Sequence, residues 1–292
     1  MPLSSSFGLA PDLEAKFRGI GCVFNPGIVE LTRSLFAGRH DGSLPAGGRR
    51  VDNIAYGTHG RHKLDVCMPP ERGKPIALFV PGGGMTGGDK SIYAHIPAFF
   101  ARKGYVGAAA NYRLAPECLF PSGAQDVASA IDWLAERSDV HGGDPTKILI
   151  VAQSAGAVHC ASTLFDKRFR PKHYDSIRAA VLMSGVYKIT PAHEGGNINL
   201  YFGNEPAELD DRSPLNHVDE GSVPVILTVA ELEPAFFGAS AAALMEALAR
   251  RDNRPPQLVW LRGHNHLSPV LNMGNAGDQL GDAIEEALRA FL

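Results

Sequence analysis

Ser154 carries the first chemical signal in the chain. It follows Ile148-Leu-Ile-Val151, an apolar β-branched run short enough for a buried strand. It precedes Ala155-Gly-Ala-Val-His-Cys-Ala-Ser-Thr-Leu-Phe165, whose small residues and spacing suit a helix. A serine at a strand-to-helix junction sits on a sharp turn that lifts its hydroxyl clear of the sheet, and the turn demands small flanking residues. Here the string is small-x-Ser-x-Gly, with Gly156 after the serine and Ala152 where a first glycine would be less crowded. Any strand–helix junction can hold a serine, so the nucleophile reading leans on what surrounds it.

Upstream lies Val80-Pro-Gly-Gly-Gly-Met-Thr-Gly-Gly-Asp-Lys90. Backbone N–H groups reach an anion closely only where no side chain intrudes, so consecutive glycines suit an oxyanion hole. A phosphate loop is the rival. Gly83 and Gly88 have its glycine spacing, but Asp89 stands before Lys90-Ser91, where a carboxylate repels phosphate and puts the lysine out of register. Downstream, the apolar run from Val225 ends in Glu231-Leu-Glu233-Pro234, and Gln257 to Leu261 is followed by Arg262-Gly-His264-Asn-His266. These supply two candidate acids and two candidate bases. A His-x-His pair also suits a metal, but zinc needs a third and usually a fourth ligand. Besides His59 and His62, which share one loop, nothing stands at ligand spacing, so no metal is assigned.

The elements that must position these residues follow from periodicity. Pro11 to Gly38 reads as two short amphipathic helices broken at Asn25-Pro-Gly27, with Leu13, Phe17, Ile20, Ile28, Leu31 and Leu35 on their apolar stripe. Val51–Tyr56 and His62–Met68 read as a hairpin. Strands at 76–80, 105–111, 148–151, 177–183, 223–229 and 257–261 then alternate with helices at 92–102, 124–136, 155–165, 235–250 and 277–291. Such alternation predicts a mainly parallel sheet with helices on both faces, the hairpin adding antiparallel edge strands. Tyr187 to Asp219 lacks clear periodicity and is read as pocket loops.

Composition narrows the function. The 292 residues are 45% hydrophobic and 20% charged, ordinary for a soluble globular chain with a sizeable core. A net charge of −3 with scattered Lys and Arg gives no field for nucleic acid. Four cysteines without a C-x-x-C spacing read as reduced thiols, Cys67 and Cys160 buried. The start, Met-Pro-Leu-Ser-Ser-Ser, has neither basic nor apolar signal character, and no run approaches the ~20 apolar residues of a membrane span. A cytoplasmic protein is expected.

Pro-Gly-Gly-Gly with Gly-Asp-Lys, then Asn111-Tyr-Arg-Leu-Ala-Pro-Glu117, Phe120-Pro121, Asp126-Val127 and Ser154, together resemble the α/β-hydrolase fold. More narrowly they resemble the hormone-sensitive-lipase-like carboxylesterases and the related arylformamidases, from about Tyr56 onward. The resemblance implies Ser154 as nucleophile, Glu233 as acid in place of the usual aspartate, and His266 as base, with Glu231 as the alternative acid and His264 as neighbour. It implies an oxyanion hole from the N–H groups of Gly83, Gly84 and Ala155, and bracing roles for Asp89, Arg113, Glu117 and Asp126. Pro81 replaces the family's histidine before the glycines. The expectation is an N-terminal cap over residues 1–48 and a catalytic domain over 49–292. A serine carboxylesterase would cleave a small apolar or aromatic ester through an acyl-enzyme and need no cofactor. The alternatives are an arylformamidase or other amide or carbamate hydrolase with the same triad, and a non-catalytic ligand-binding protein on this fold. A homodimer is the alternative use of the N-terminal helices.

Overall fold

The apolar and β-branched runs form eight strands of one sheet: β1 (Arg49–Ala55), β2 (Lys63–Met68), β3 (Lys74–Val80), β4 (Val106–Ala110), β5 (Gly143–Gln153), β6 (Ile177–Met183), β7 (Val225–Ala230) and β8 (Gln257–Leu261). The computed structural model describes residues 9–191, 197–218, 223–289 and 291. Its helices are α1 (Pro11–Ile20), α2 (Pro26–Phe36), α3 (His95–Arg102), α4 (Ser122–Glu136), α5 (Ser138–His141), α6 (Ala155–Phe165), α7 (Ile198–Phe202), α8 (Pro206–Arg212), α9 (Ala235–Asp252), α10 (Ser268–Leu271) and α11 (Gln279–Arg289). None among the described residues is long and apolar enough to cross a membrane.

The strand order is β1-β2-β4-β3-β5-β6-β7-β8. β2 pairs antiparallel with both β1 and β4, and every later pair is parallel. The parallel strands therefore all point their C-terminal ends to one edge. The order reverses between β3 and β5, which opens a crevice at that edge where ligands of open α/β sheets bind. The ends of β3, β5, β7 and β8 carry the glycine loop, Ser154, Glu233 and His266.

Helices cover both faces, which is why β3 and β5 are continuous apolar runs rather than alternating ones. On one face Leu78 and Ile150 pack with Ile131, Leu134, Leu164 and Leu244. On the other, Phe79, Leu149 and Val151 pack with Phe17, Phe36, Phe99 and Phe100. Phe17 and Phe36 belong to the N-terminal helices and are wholly buried. Burying each contributes about 2–3 kcal/mol, so these helices are held in the core of this face. Residues 1–8 of the expected N-terminal segment lie outside the described residues.

Two expected elements differ in detail. The helix expected from Ile92 begins instead as a 3₁₀ turn over Lys90–Tyr93 and becomes α3 only at His95. Asp89 sets the tight turn by accepting from the Ser91 N–H at 2.9 Å, and the buried Lys90 ammonium reaches Asp65 at 2.7 Å. Pro97 falls in the first turn of α3, where its missing N–H costs no intrahelical bond. The stretch from Tyr187 holds α7, α8 and a 3₁₀ turn at Pro214–His217, too short for a periodic signal. Residues 192–196 and Asp219 within it lie outside the described residues.

The N-terminal segment is also tied down by two histidines. His40 donates to the Leu271 carbonyl at 2.9 Å and His95 to that of Val270 at 3.0 Å, with their rings stacked 3.8 Å apart. Burial pushes the His95 pKa down to about 4, and the neighbouring His40 adds to the shift. The folded value lies below the unfolded one of 6.5, so this stability is complete above pH 6.5 and is lost as pH falls toward 4. The loss amounts to roughly 3 kcal/mol. Burial also holds His159 and His264 down to about 4, adding to the same acid limb. Thermal melts should show a Tm that falls between pH 6.5 and 4, and a shallower fall in His95→Gln, which keeps a donor without a titratable ring. An unchanged slope would assign the acid loss elsewhere.

Candidate active site

Ser154 sits between β5 and α6 with φ 53° and ψ −121°, a conformation that costs a non-glycine residue about 1–3 kcal/mol. Its N–H donates to the Met183 carbonyl of β6 at 2.8 Å, which holds the turn. Gly156 is the position the turn cannot enlarge: a Cβ there would lie 2.3 Å from the Val80 carbonyl oxygen and 2.6 Å from that of Pro81. The Ala152 methyl is fully buried in the core formed with α6, so the missing first glycine is filled by ordinary packing.

His266 follows β8 and lies 4% exposed. Its Nε2 is 2.9 Å from Ser154 Oγ and its Nδ1 is 2.9 Å from Glu233 Oε2. Glu233 is fixed through its other oxygen, which accepts from Ser184 Oγ and from the Ala230 N–H, each at 3.0 Å. A carboxylate so held accepts a hydrogen bond from Nδ1–H, which keeps the proton on Nδ1 and leaves the Nε2 lone pair for the Ser154 hydroxyl. The longer side chain of a glutamate thus spans from the end of β7 to the imidazole. The ring stacks on Phe237 at 4.2 Å between centroids and meets the edge of Phe24 at 4.6 Å.

Glu231 and His264 are used elsewhere. Glu231 pairs with Arg18 of α1 at 3.0 Å and accepts from the Gly263 N–H at 2.7 Å. His264 is buried and bonds Ser268 Oγ at 2.9 Å. His59 and His62 also have local partners, His62 reaching Asp126 at 3.0 Å. Among the described residues no group of three or more His, Cys, Asp or Glu is arranged to hold a metal ion.

The glycine loop curls beneath Ser154, with the Gly87 N–H on the Gly83 carbonyl at 2.9 Å. Close approach explains its composition. A Cβ on Gly82 would lie 2.1 Å from Gln153 Oε1, and one on Gly83 2.0 Å from the Gly87 carbonyl oxygen. Among the described residues the N–H groups of Gly83, Gly84 and Ala155 donate to no protein acceptor. The Pro81 carbonyl accepts from Tyr112 Oη at 2.9 Å, which braces the loop through the backbone. The bracing residues fall as expected for Asp126, which holds Arg113 at 2.7 Å, and for Asp89, which accepts from Asn111 at 2.6 Å. Glu117 differs: it is exposed and makes no side-chain bond among the described residues.

Several contributors escape sequence reasoning. Gln153 Nε2 donates to the His266 carbonyl at 3.2 Å, which fixes the amide orientation, and the same group lies 3.3 Å from His266 Nε2. Asn265 anchors the histidine loop to α2 through Thr32 Oγ1 at 2.8 Å and caps Ser268 at 2.9 Å. Gln153 abuts the serine in sequence, which is a usable signal; Asn265, Ser184 and Phe24 carry none. A cleft of about 800 Å³ opens above Ser154 and His266, walled by Phe24 and Val29 from the N-terminal segment and by Met85, Val158, Ile198 and Phe237.

A profile of the BD-FAE family matches residues 64–248, more than half of the chain. Esterase LipQ of Mycobacterium tuberculosis is 28% identical over 222 residues, covering 68% of this chain and 52% of the relative. Esterase LipC of the same organism is 33% identical over 247 residues, covering 77% and 61%. The chain thus spans less than two thirds of the length of these curated relatives. Among solved structures, esterase B from Lactobacillus rhamnosis superposes with a TM-score of 0.75 at 16% identity, covering 96% of this chain and 94% of that one. The Pyrobaculum calidifontis esterase does so with a TM-score of 0.72 at 20% identity, covering 97% and 98%. Strand order, the turn at Ser154 and these matches agree, and the chain belongs to the BD-FAE family, with the α/β-hydrolase fold.

Proposed function

We propose that this chain is a serine carboxylesterase. The observation that carries the reading is the line of contacts from Ser154 through His266 to Glu233, beside three N–H groups that find no protein acceptor among the described residues. In this reading Ser154 Oγ attacks the ester carbonyl carbon while its proton passes to His266 Nε2. Glu233 keeps the ring oriented and favours the imidazolium that forms. The carbonyl oxygen becomes an oxyanion on the Gly83, Gly84 and Ala155 N–H groups, each worth about 3 kcal/mol of transition-state stabilisation. His266 then protonates the departing alkoxide, giving an alcohol and an acyl-serine. Water, deprotonated by the same Nε2, releases the acid and restores the serine.

The division of labour we propose is a cap, residues 1–48, set on a catalytic domain, 49–292. Phe24 and Val29 of the cap wall the cleft, while Phe17 and Phe36 anchor it in the core. An apolar wall of this kind suits a small aliphatic or aromatic ester. The reading is tested by following acid release from phenyl acetate and phenyl butyrate, with N-formylaniline in parallel. Turnover of the esters at kcat/KM at least tenfold above the formanilide is expected. The reverse order would make the chain an amide hydrolase with the same machinery, and no turnover of either would make it a binding protein.

A further inference from the structure

One charged side chain in the cleft has no assigned task. Arg33 projects from α2 into the cleft that holds Ser154, among the apolar walls already described. The residue is half-buried, and its Nε is buried without a hydrogen-bond partner. Among the described residues it makes no ion pair with a carboxylate. Its polar neighbour is the buried Tyr93, which also lines the cleft and whose hydroxyl oxygen is within hydrogen-bonding reach of the guanidinium and feels its charge. Leaving a buried donor unpaired costs about 1–3 kcal/mol, more when the group is charged. The guanidinium that carries this Nε borders the cleft, where a ligand can supply acceptors. Glu30, three residues earlier on α2, also borders the cleft, but it is exposed and forms no ion pair with Arg33. Water screens a rim carboxylate far more than it screens the buried Nε.

Building on the esterase reading, we infer that the substrate is an ester bearing a carboxylate, bound by Arg33 at the far end of an apolar spacer. A planar guanidinium presents parallel N–H donors that match a carboxylate in bidentate fashion, which an ammonium does not. Tyr93 stands beside it as a further hydroxyl donor. The apolar walls hold the carbon chain between this anion site and Ser154.

The test compares isosteric esters. On the acyl side these are monomethyl adipate, methyl hexanoate and methyl 6-aminohexanoate, which are anionic, neutral and cationic. On the alcohol side 4-carboxyphenyl acetate is set against phenyl acetate. The wild-type protein should prefer the anionic member by at least tenfold in kcat/KM in one series. Arg33→Leu should collapse that ratio by tenfold or more, and Arg33→Lys should restore part of it. Equal ratios in both series, a preference for the cationic ester, or a ratio unchanged in Arg33→Leu would each overturn the inference. Calorimetric binding of monomethyl adipate to Ser154→Ala reads Arg33 without turnover, so it separates this inference from the esterase reading. Adding Arg33→Leu to that background should weaken binding at least tenfold, and equal affinity would sink the proposal. Phenyl acetate left intact by the wild type, with adipate binding still dependent on Arg33, would instead fault the esterase reading alone.

Discussion

Ser154→Ala is expected to remove ester turnover, lowering kcat by roughly four to six orders of magnitude, and to end covalent labelling by a fluorophosphonate. The hydroxyl stands 2.9 Å from an imidazole nitrogen whose other nitrogen is held by a carboxylate. Alanine keeps the small Cβ that the strained turn already accommodates. The N–H bond to Met183 is made by the backbone, so the fold should persist with a Tm close to that of the parent. The residual rate over water would come from the oxyanion donors and from substrate positioning. A Ser154→Ala protein that hydrolyses phenyl acetate at the parental rate, or still takes up the probe, would show the nucleophile to be elsewhere.

The second large effect is expected at His266 and Glu233, with little at their neighbours in sequence. His266→Ala should lower kcat about as much as the serine variant, since the two act as one unit. Glu233→Gln is the better probe of the acid than alanine. It keeps a group near Ser184 Oγ and the Ala230 N–H, which alanine would leave buried and unpaired. It should still cost about 10⁴ in kcat, because an amide no longer secures the required tautomer. His264→Ala and Glu231→Ala should change kcat by less than about tenfold and show up in stability instead, through loss of the Ser268 contact and of the Arg18 pair. Steady-state kinetics on the four variants decide this. A greater loss in kcat at His264 or Glu231 than at His266 or Glu233 would reverse the assignment.

The amino-acid sequence by itself determined the parts that are local. Short continuous apolar, β-branched runs mark strands buried on both faces and a period of about 3.6 marks helices with one buried face, so the parallel sheet and the two N-terminal helices were legible. A small-x-Ser-x-Gly string between strand and helix marks a tight turn, and three consecutive glycines mark a backbone that must approach other atoms closely. The Gly83 and Gly156 contacts bear out that reason in atomic terms. The short pieces α7 and α8 were not legible, because five or seven residues contain too few turns for a period. What only the tertiary structure decided are contacts between residues far apart in the chain. Glu231 and Glu233 look alike in sequence, as do His264 and His266, and Ser154 stands 112 residues from His266. The packing of β5 against β6, of β6 against β7 and of β7 against β8 brings His266 and Glu233 to the serine and turns Glu231 toward Arg18. Gln153 at the imidazole is likewise a consequence of strand packing, and Thr32 holding the histidine loop and Arg33 lining the cleft are consequences of how α2 docks on the sheet. No local pattern records such docking, because a period fixes which face of a helix is buried and leaves open what that face meets.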